Sequence, residues 1–126
     1  MKLFRMKAKR RRELGFSPRI RVLCGKEVAL GPGKADLLAL IAETGSIQAA
    51  AKRMDMSYMR AWTLIRTMNG CFREPVVVAS RGGKSRGGAK LTKTGRRALE
   101  LYRLLETRSL KACASTWREL CEILSG

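Results

Sequence analysis

The chain has 126 residues, with 27 Lys plus Arg against 10 Asp plus Glu and no His, a formal net charge of +17 at pH 7. One domain of ordinary size fits that length, and 45% apolar residues suffice for a single core. The longest apolar run, Leu37 to Ala42, has six residues, far short of the ~20 that a membrane-spanning helix needs, and no stretch of signal-peptide character opens the chain.

In chain order, residues 1–18 read as a basic, disordered arm ending at Pro18; residues 1–12 alone hold seven Lys or Arg and no acid. Arg19-Ile20-Arg21-Val22-Leu23 alternates charged and apolar side chains, as a half-buried strand does. Cys24-Gly25-Lys26 can turn, and Glu27-Val28-Ala29-Leu30 can return as the second strand of a hairpin. Gly31-Pro32-Gly33 stops that sheet. A helix follows with Leu37, Leu40 and Ile41 on one face, and Gly45 is its natural stop. Ser46 can cap a short second helix that buries Ile47, Ala50, Ala51 and Met54. Ser57 can cap a third, with Ala61, Trp62, Ile65 and Met68 expected inside and Arg60, Thr63, Arg66 and Thr67 outside. Pro75-Val76-Val77-Val78-Ala79 is a strand by its β-branched content, residues 81–88 are a glycine-rich basic loop, and Ala89-Lys90-Leu91 returns as a short strand. Thr92 or Thr94 then caps a long last helix that reaches about Leu124.

Helix, Gly-Ser turn, small-residue helix, short linker, helix is the order of a helix-turn-helix. Ala49-Ala50-Ala51 suits the close crossing of its two supporting helices, where large side chains would push the backbones apart. A basic hairpin directly after the third helix makes the motif winged. The expected fold class is therefore mainly α with small β-hairpins: an arm (1–18), a winged helix-turn-helix (19–92) and a long C-terminal helix (93–126).

Charge placement names the partner. Residues 81–97 hold seven more basic residues and again no acid, so this block and residues 1–12 together carry +14 of the +17. Dense, acid-free blocks repel themselves unless they meet a polyanion, and double-stranded DNA is the polyanion that this fold reads. An anionic membrane is the weaker reading, because neither block interleaves bulky apolar residues as an interfacial helix does. Gly83-Lys84-Ser85 ends like a phosphate-binding P-loop, but the glycine required five residues earlier is Val78, and the loop leads into a strand. Glycines at a hairpin tip instead let the backbone approach a phosphate or a groove, with Arg81, Lys84, Arg86 and Lys90 supplying charge.

Catalysis finds little support. Histidine, the commonest general acid or base, is absent, and the carboxylates are scattered. Cys24, Cys71, Cys113 and Cys121 lie far apart with no CxxC pair, so neither a zinc module nor a disulfide scaffold has its frame. They read as small hydrophobes with reduced thiols in a cytoplasmic, nucleoid-associated protein. No catalytic residue, metal ligand or cofactor is assigned.

The last helix speaks to assembly. Apolar residues recur every three or four positions, and a helix of ~30 residues would span ~45 Å, longer than the domain it leaves. Its distal part therefore needs a partner, and a two-fold copy is the economical one. Leu99, Tyr102, Leu105, Cys113, Trp117, Leu120 and Leu124 are the expected homodimer contacts.

Ala42-Glu43-Thr44-Gly45-Ser46-Ile47, Met56-Ser57-Tyr58-Met59-Arg60-Ala61-Trp62, Met68-Asn69, Ser80-Arg81-Gly82-Gly83 and Gly87-Gly88-Ala89-Lys90-Leu91-Thr92 closely resemble the N-terminal DNA-binding domain of ModE-type molybdate-responsive transcription regulators. That helix-turn-helix is in turn similar to the LysR-type one, and the resemblance runs from about Arg19 to Tyr102. It implies an opening strand pair, a winged helix-turn-helix, and dimerisation partly through the helix after the wing. It also implies that Ser57, Tyr58 and Arg60 face DNA while Ala61 and Trp62 anchor the recognition helix. Position 59, often Lys in the family, is Met59 here. Full-length family members continue into a molybdate-binding domain; nothing in this sequence resembles an oxyanion-binding module, so no effector site is placed on it.

The expected function is sequence-specific DNA binding in transcriptional regulation, through Ser46, Gln48, Ser57, Tyr58, Met59, Arg60, Thr63 and Arg66 of the helix-turn-helix and Arg81, Lys84, Arg86 and Lys90 of the wing. A nonspecific, nucleoid-type nucleic-acid-binding protein is the alternative.

Overall fold

The computed structural model describes residues 12–80 and 88–126. Two antiparallel hairpins and five helices follow one another: β1 (Val22–Cys24), β2 (Glu27–Leu30), α1 (Pro32–Thr44), α2 (Ile47–Arg53), α3 (Tyr58–Cys71), β3 (Val77–Ala79), β4 (Ala89–Leu91), α4 (Lys93–Ala112) and α5 (Ala114–Cys121). The chain divides into two units, residues 19–106 and residues 1–18 with 107–126.

Within the larger unit, β1 begins three residues later than the alternation suggested, and the turn falls at Gly25–Lys26. A bulge between Val22 and Leu23 shifts the register, so Val22 faces Leu30 while Leu23 faces Val28. Helix α1 starts at Pro32 itself, with Gly31 extended before it. Proline loses nothing there, because the N–H it lacks has no acceptor in a helix's first turn. The helix ends where Gly45 adopts φ +70° and donates its N–H to the Ile41 carbonyl at 2.8 Å, a left-handed stop that a side chain would strain.

The core lies between α1, α2, α3 and the second hairpin. Leu37, Leu38 and Ile41 of α1 meet Ile47, Ala50 and Ala51 of α2 and Ala61, Ile65 and Met68 of α3, and Val76, Val77, Ala89 and Leu91 close it from the sheet side. Each fully buried Leu or Ile contributes roughly 1.5–3 kcal/mol relative to exposure. The three expected alanines sit at the α2 crossing, two of them buried.

Helix α4 enters this core too, which corrects one expectation. Tyr102 is only 1% exposed and its hydroxyl donates to the Ile20 carbonyl at 2.8 Å, so it is a core residue of its own chain and no dimer contact. Leu99 likewise packs against the core. At the start of α4, Thr92 rather than Thr94 is the cap: its Oγ1 accepts from the Gly95 N–H at 2.9 Å and donates to the Pro75 carbonyl at 2.6 Å. Gly95 is obligatory by contact, because a Cβ built on it would lie 2.1 Å from the Val76 carbonyl oxygen.

The long last helix is broken. Cys113, at φ −94° and ψ 0°, separates α4 from α5. No proline or glycine marks the spot. In the smaller unit Trp117 stacks on Phe16, ring centroids 5.6 Å apart at 24°, and Arg12 donates to the Ser125 hydroxyl at 3.3 Å. Residues 12–18 are therefore laid against the C-terminal segment, where a free arm was expected; residues 1–11 lie outside the described residues.

Candidate nucleic-acid interface

The site is α2, its turn, α3 and the base of the second hairpin. Ser46 Oγ accepts from the Ala49 N–H and Ser57 Oγ from the Arg60 N–H, both at 3.1 Å, so each helix starts with one backbone donor satisfied by the expected serine. Between them Asp55 takes φ +56°, a left-handed conformation that aspartate tolerates better than most side chains, and Met56 N–H returns to the Ala51 carbonyl at 3.0 Å. The turn is thereby fixed, and α3 leaves it at a set angle.

Helix α3 buries Ala61, Ile65 and Met68, each 0% exposed. Trp62 departs from the expectation: it is 39% exposed and no anchor. Helical phase explains this. Trp62 lies four residues after Tyr58 and shares its outward line, whereas the core stripe runs through Ala61. The exposed surface of α3 carries Ser57, Tyr58, Met59, Arg60, Trp62, Thr63 and Arg66, and no residue of α2 or α3 is acidic. Thr63 Oγ1 donates to the Met59 carbonyl at 2.9 Å. Arg60 and Arg66 form no ion pair among the described residues, whereas Arg53 of α2 is held by Glu43 at 2.9 Å.

The hairpin base is tied to this motif at two places. Ala89 N–H donates to the Gly45 carbonyl at 3.0 Å, which makes the turn after α1 an extension of β4. From the far end of α3, Asn69 Oδ1 accepts from the N–H groups of Val76 (2.8 Å) and Val77 (3.2 Å), and Nδ2 donates to the Val77 carbonyl at 3.1 Å. β3 starts at Val77 rather than Pro75, and Asn69 holds the N–H of Val76 and both backbone polar groups of Val77. Asn69 went unread as a functional residue. Met68-Asn69 carries part of the family resemblance, but nothing in the sequence assigns Asn69 this bracing role.

Of the expected contacts, the structure brings Ser57, Tyr58, Met59, Arg60, Thr63 and Arg66 onto one exposed helix surface. Gln48 is exposed on α2, Ser46 is half-buried with its hydroxyl used as a cap, and Lys90 is exposed on β4. Arg81, Lys84 and Arg86 lie outside the described residues.

Elsewhere in the unit, an apolar hollow of about 340 Å³ opens between the first hairpin and α4, with Cys24 and Cys71 in its lining. Burial pushes the Cys71 thiol above its ordinary pKa, and Cys24 beside it adds to the shift. Among the described residues no group of three or more His, Cys, Asp or Glu could hold a metal ion, and no helix is long and apolar enough to cross a membrane.

Comparison with known proteins places this geometry. No family model matches the chain. It is 39% identical over 101 residues to the molybdenum-pterin-binding protein MopB of Rhodobacter capsulatus, covering 77% of this chain and 37% of that protein. It is 41% identical over 98 residues to the molybdenum transport protein ModE of Azotobacter vinelandii, covering 78% and 36%. The DNA-binding transcriptional dual regulator ModE of Escherichia coli K12 is 42% identical over 81 residues, covering 64% and 31%. The chain thus spans about a third of the length of these relatives. Among solved structures, CbnR_DBD in its complex with DNA superposes with a TM-score of 0.52 over 69% of this chain and 95% of that one, at 23% identity. That likeness establishes the fold, a winged helix-turn-helix, as expected from the sequence.

Proposed function

We propose that this chain, related to ModE-type regulators through its winged helix-turn-helix, is a sequence-specific DNA-binding transcriptional regulator that acts as a homodimer in the cytoplasm. The observation that carries the reading is the surface of α3: capped, acid-free, braced at both ends, and presenting Arg60 and Arg66 without ion-pair partners among the described residues. In this reading α3 enters the major groove, and the basic segment 81–90 grips the flanking backbone or minor groove. Arg60 is the guanine reader, since one guanidinium can bond O6 and N7 together. Ser57, Tyr58, Met59, Thr63 and Arg66 complete the groove surface, Gln48 and the Ser46 end of α2 lie against the backbone, and Arg81, Lys84, Arg86 and Lys90 neutralise phosphates.

Dimerisation belongs to residues 93–126. Leu105, Leu120 and Leu124 stay exposed at 46%, 45% and 42%, together with Leu101, Leu110 and Ile123. A C-terminal segment with that much exposed apolar surface favours pairing with a second copy.

Selection of random duplex DNA on the full chain at about 150 mM salt tests the reading, because ionic strength sets how much of the binding is mere charge. A two-fold-related consensus is expected. Arg60→Ala then costs about 1–3 kcal/mol on that site and flattens preference at one position, while Lys84→Ala weakens all sequences about equally. Tight binding with no consensus would favour the nonspecific alternative, for which the basic residues of 1–12 and 81–97 suffice.

A further inference from the structure

We propose that the exposed apolar cluster of α3 reads the C5-methyl groups of thymines, with Met59 as the side chain that sets specificity; the inference rests on the DNA-binding reading above. Tyr58, Met59 and Trp62 are 43%, 65% and 39% exposed. Met59 is the most exposed large apolar residue of the helix, and none of the three is among the buried core residues. Single exposed hydrophobes need no explanation, but here three stand within five residues on the helix that also carries Arg60 and Arg66.

The occupant follows from charge and from chemistry. With no acid on α2 or α3 and a net +17 over the chain, the cluster sits in a positive field that draws a polyanion. Methionine offers no donor and only a weak acceptor, so Met59 takes little part in the hydrogen-bond code of the groove. The one apolar group that code contains is the thymine methyl. An unbranched, polarisable thioether adapts its shape to such a contact. Thr63, one turn on and exposed on the same helix, donates its one hydroxyl hydrogen to the Met59 carbonyl, so toward a base its side chain offers only an acceptor oxygen and a methyl.

The test uses the consensus duplex recovered by selection and the full chain. Each thymine is replaced singly by uracil, which deletes the methyl and leaves every hydrogen-bonding group in place. Burial of one methyl predicts a loss of about 3–5-fold at one or two positions per half-site and none elsewhere. In Met59→Ala those positions become insensitive to the replacement while Arg60-dependent discrimination persists. Met59→Lys should move preference there from thymine toward guanine. Met59 is well exposed, so both variants are expected to fold, and circular dichroism checks it. A consensus with no uracil-sensitive position, or sensitivity unchanged in Met59→Ala, overturns this inference and leaves the regulator reading standing. Absence of any consensus overturns both.

Discussion

Asn69→Ala removes the brace between the end of α3 and the first strand of the second hairpin. Three bonds disappear: Val76 N–H and Val77 N–H lose an acceptor at 2.8 and 3.2 Å, and the Val77 carbonyl loses a donor at 3.1 Å. Val76 and Val77 are 0% and 4% exposed, so the orphaned backbone groups cannot simply turn to water. A net ~0.5–1.5 kcal/mol per bond, raised by burial of what is left behind, gives a cost of about 2–4 kcal/mol. For a domain of 60–100 residues each kcal/mol moves Tm by about 4–8 °C, so a fall of roughly 8–32 °C is expected. Asn69→Asp should fall between, since it keeps the acceptor but sets an oxygen against the Val77 carbonyl. Thermal melts by circular dichroism, with urea unfolding to fix the slope, read both variants. DNA affinity measured well below the lowered Tm should still be reduced, because β3 has lost its hold on α3. A stability loss under about 0.5 kcal/mol in Asn69→Ala would refute the brace, as that is less than a single hydrogen bond.

Other changes test the remaining joints. Gly95→Ala drives a methyl to 2.1 Å from the Val76 carbonyl oxygen, and rigid backbone on both sides makes the cost about 3 kcal/mol or more, read as a lowered urea midpoint; a neutral effect would mean that α4 slides freely over the sheet. Tyr102 has a phenol pKa raised above the ordinary value, first by burial and then by the Glu106 charge. The folded state therefore holds that proton to higher pH than the unfolded one, so its contribution is complete below pH ~10 and is lost as pH rises through the folded value. Tyr102→Phe should remove this alkaline phase and cost about 0.5–1.5 kcal/mol at neutral pH for the bond to Ile20; equal alkaline slopes in the two proteins would contradict it.

Periodicity and punctuation alone made much of this protein legible. Gly45, Ser46 and Ser57 act locally: a left-handed stop and two hydroxyl caps are decided within four residues, and all three stand where the sequence put them. The acid-free basic blocks point to a polyanionic partner from the sequence alone, because net charge does not depend on how the chain packs. Ala50 and Ala51 announced a close helix crossing by their size.

What remained hidden depended on neighbours distant in the chain. Trp62 looked like an anchor because aromatic residues so often are, and only the rotation of α3 about its buried Ala61–Ile65–Met68 stripe turned it outward. Tyr102 belonged to a stripe that suited a dimer seam equally well, until the Ile20 carbonyl, 82 residues away, accepted a hydrogen bond from its hydroxyl. Asn69 became a brace only once β3 lay within reach of its amide. The interruption at Cys113 carries no proline or glycine, and the stacking of Trp117 on Phe16 beyond it joins the two ends of the chain. Caps, stops and charge are properties of a few adjacent residues, so the sequence by itself determined them. Which face of a helix is covered, and by what, depends on groups that only folding brings together, so the tertiary structure decided it.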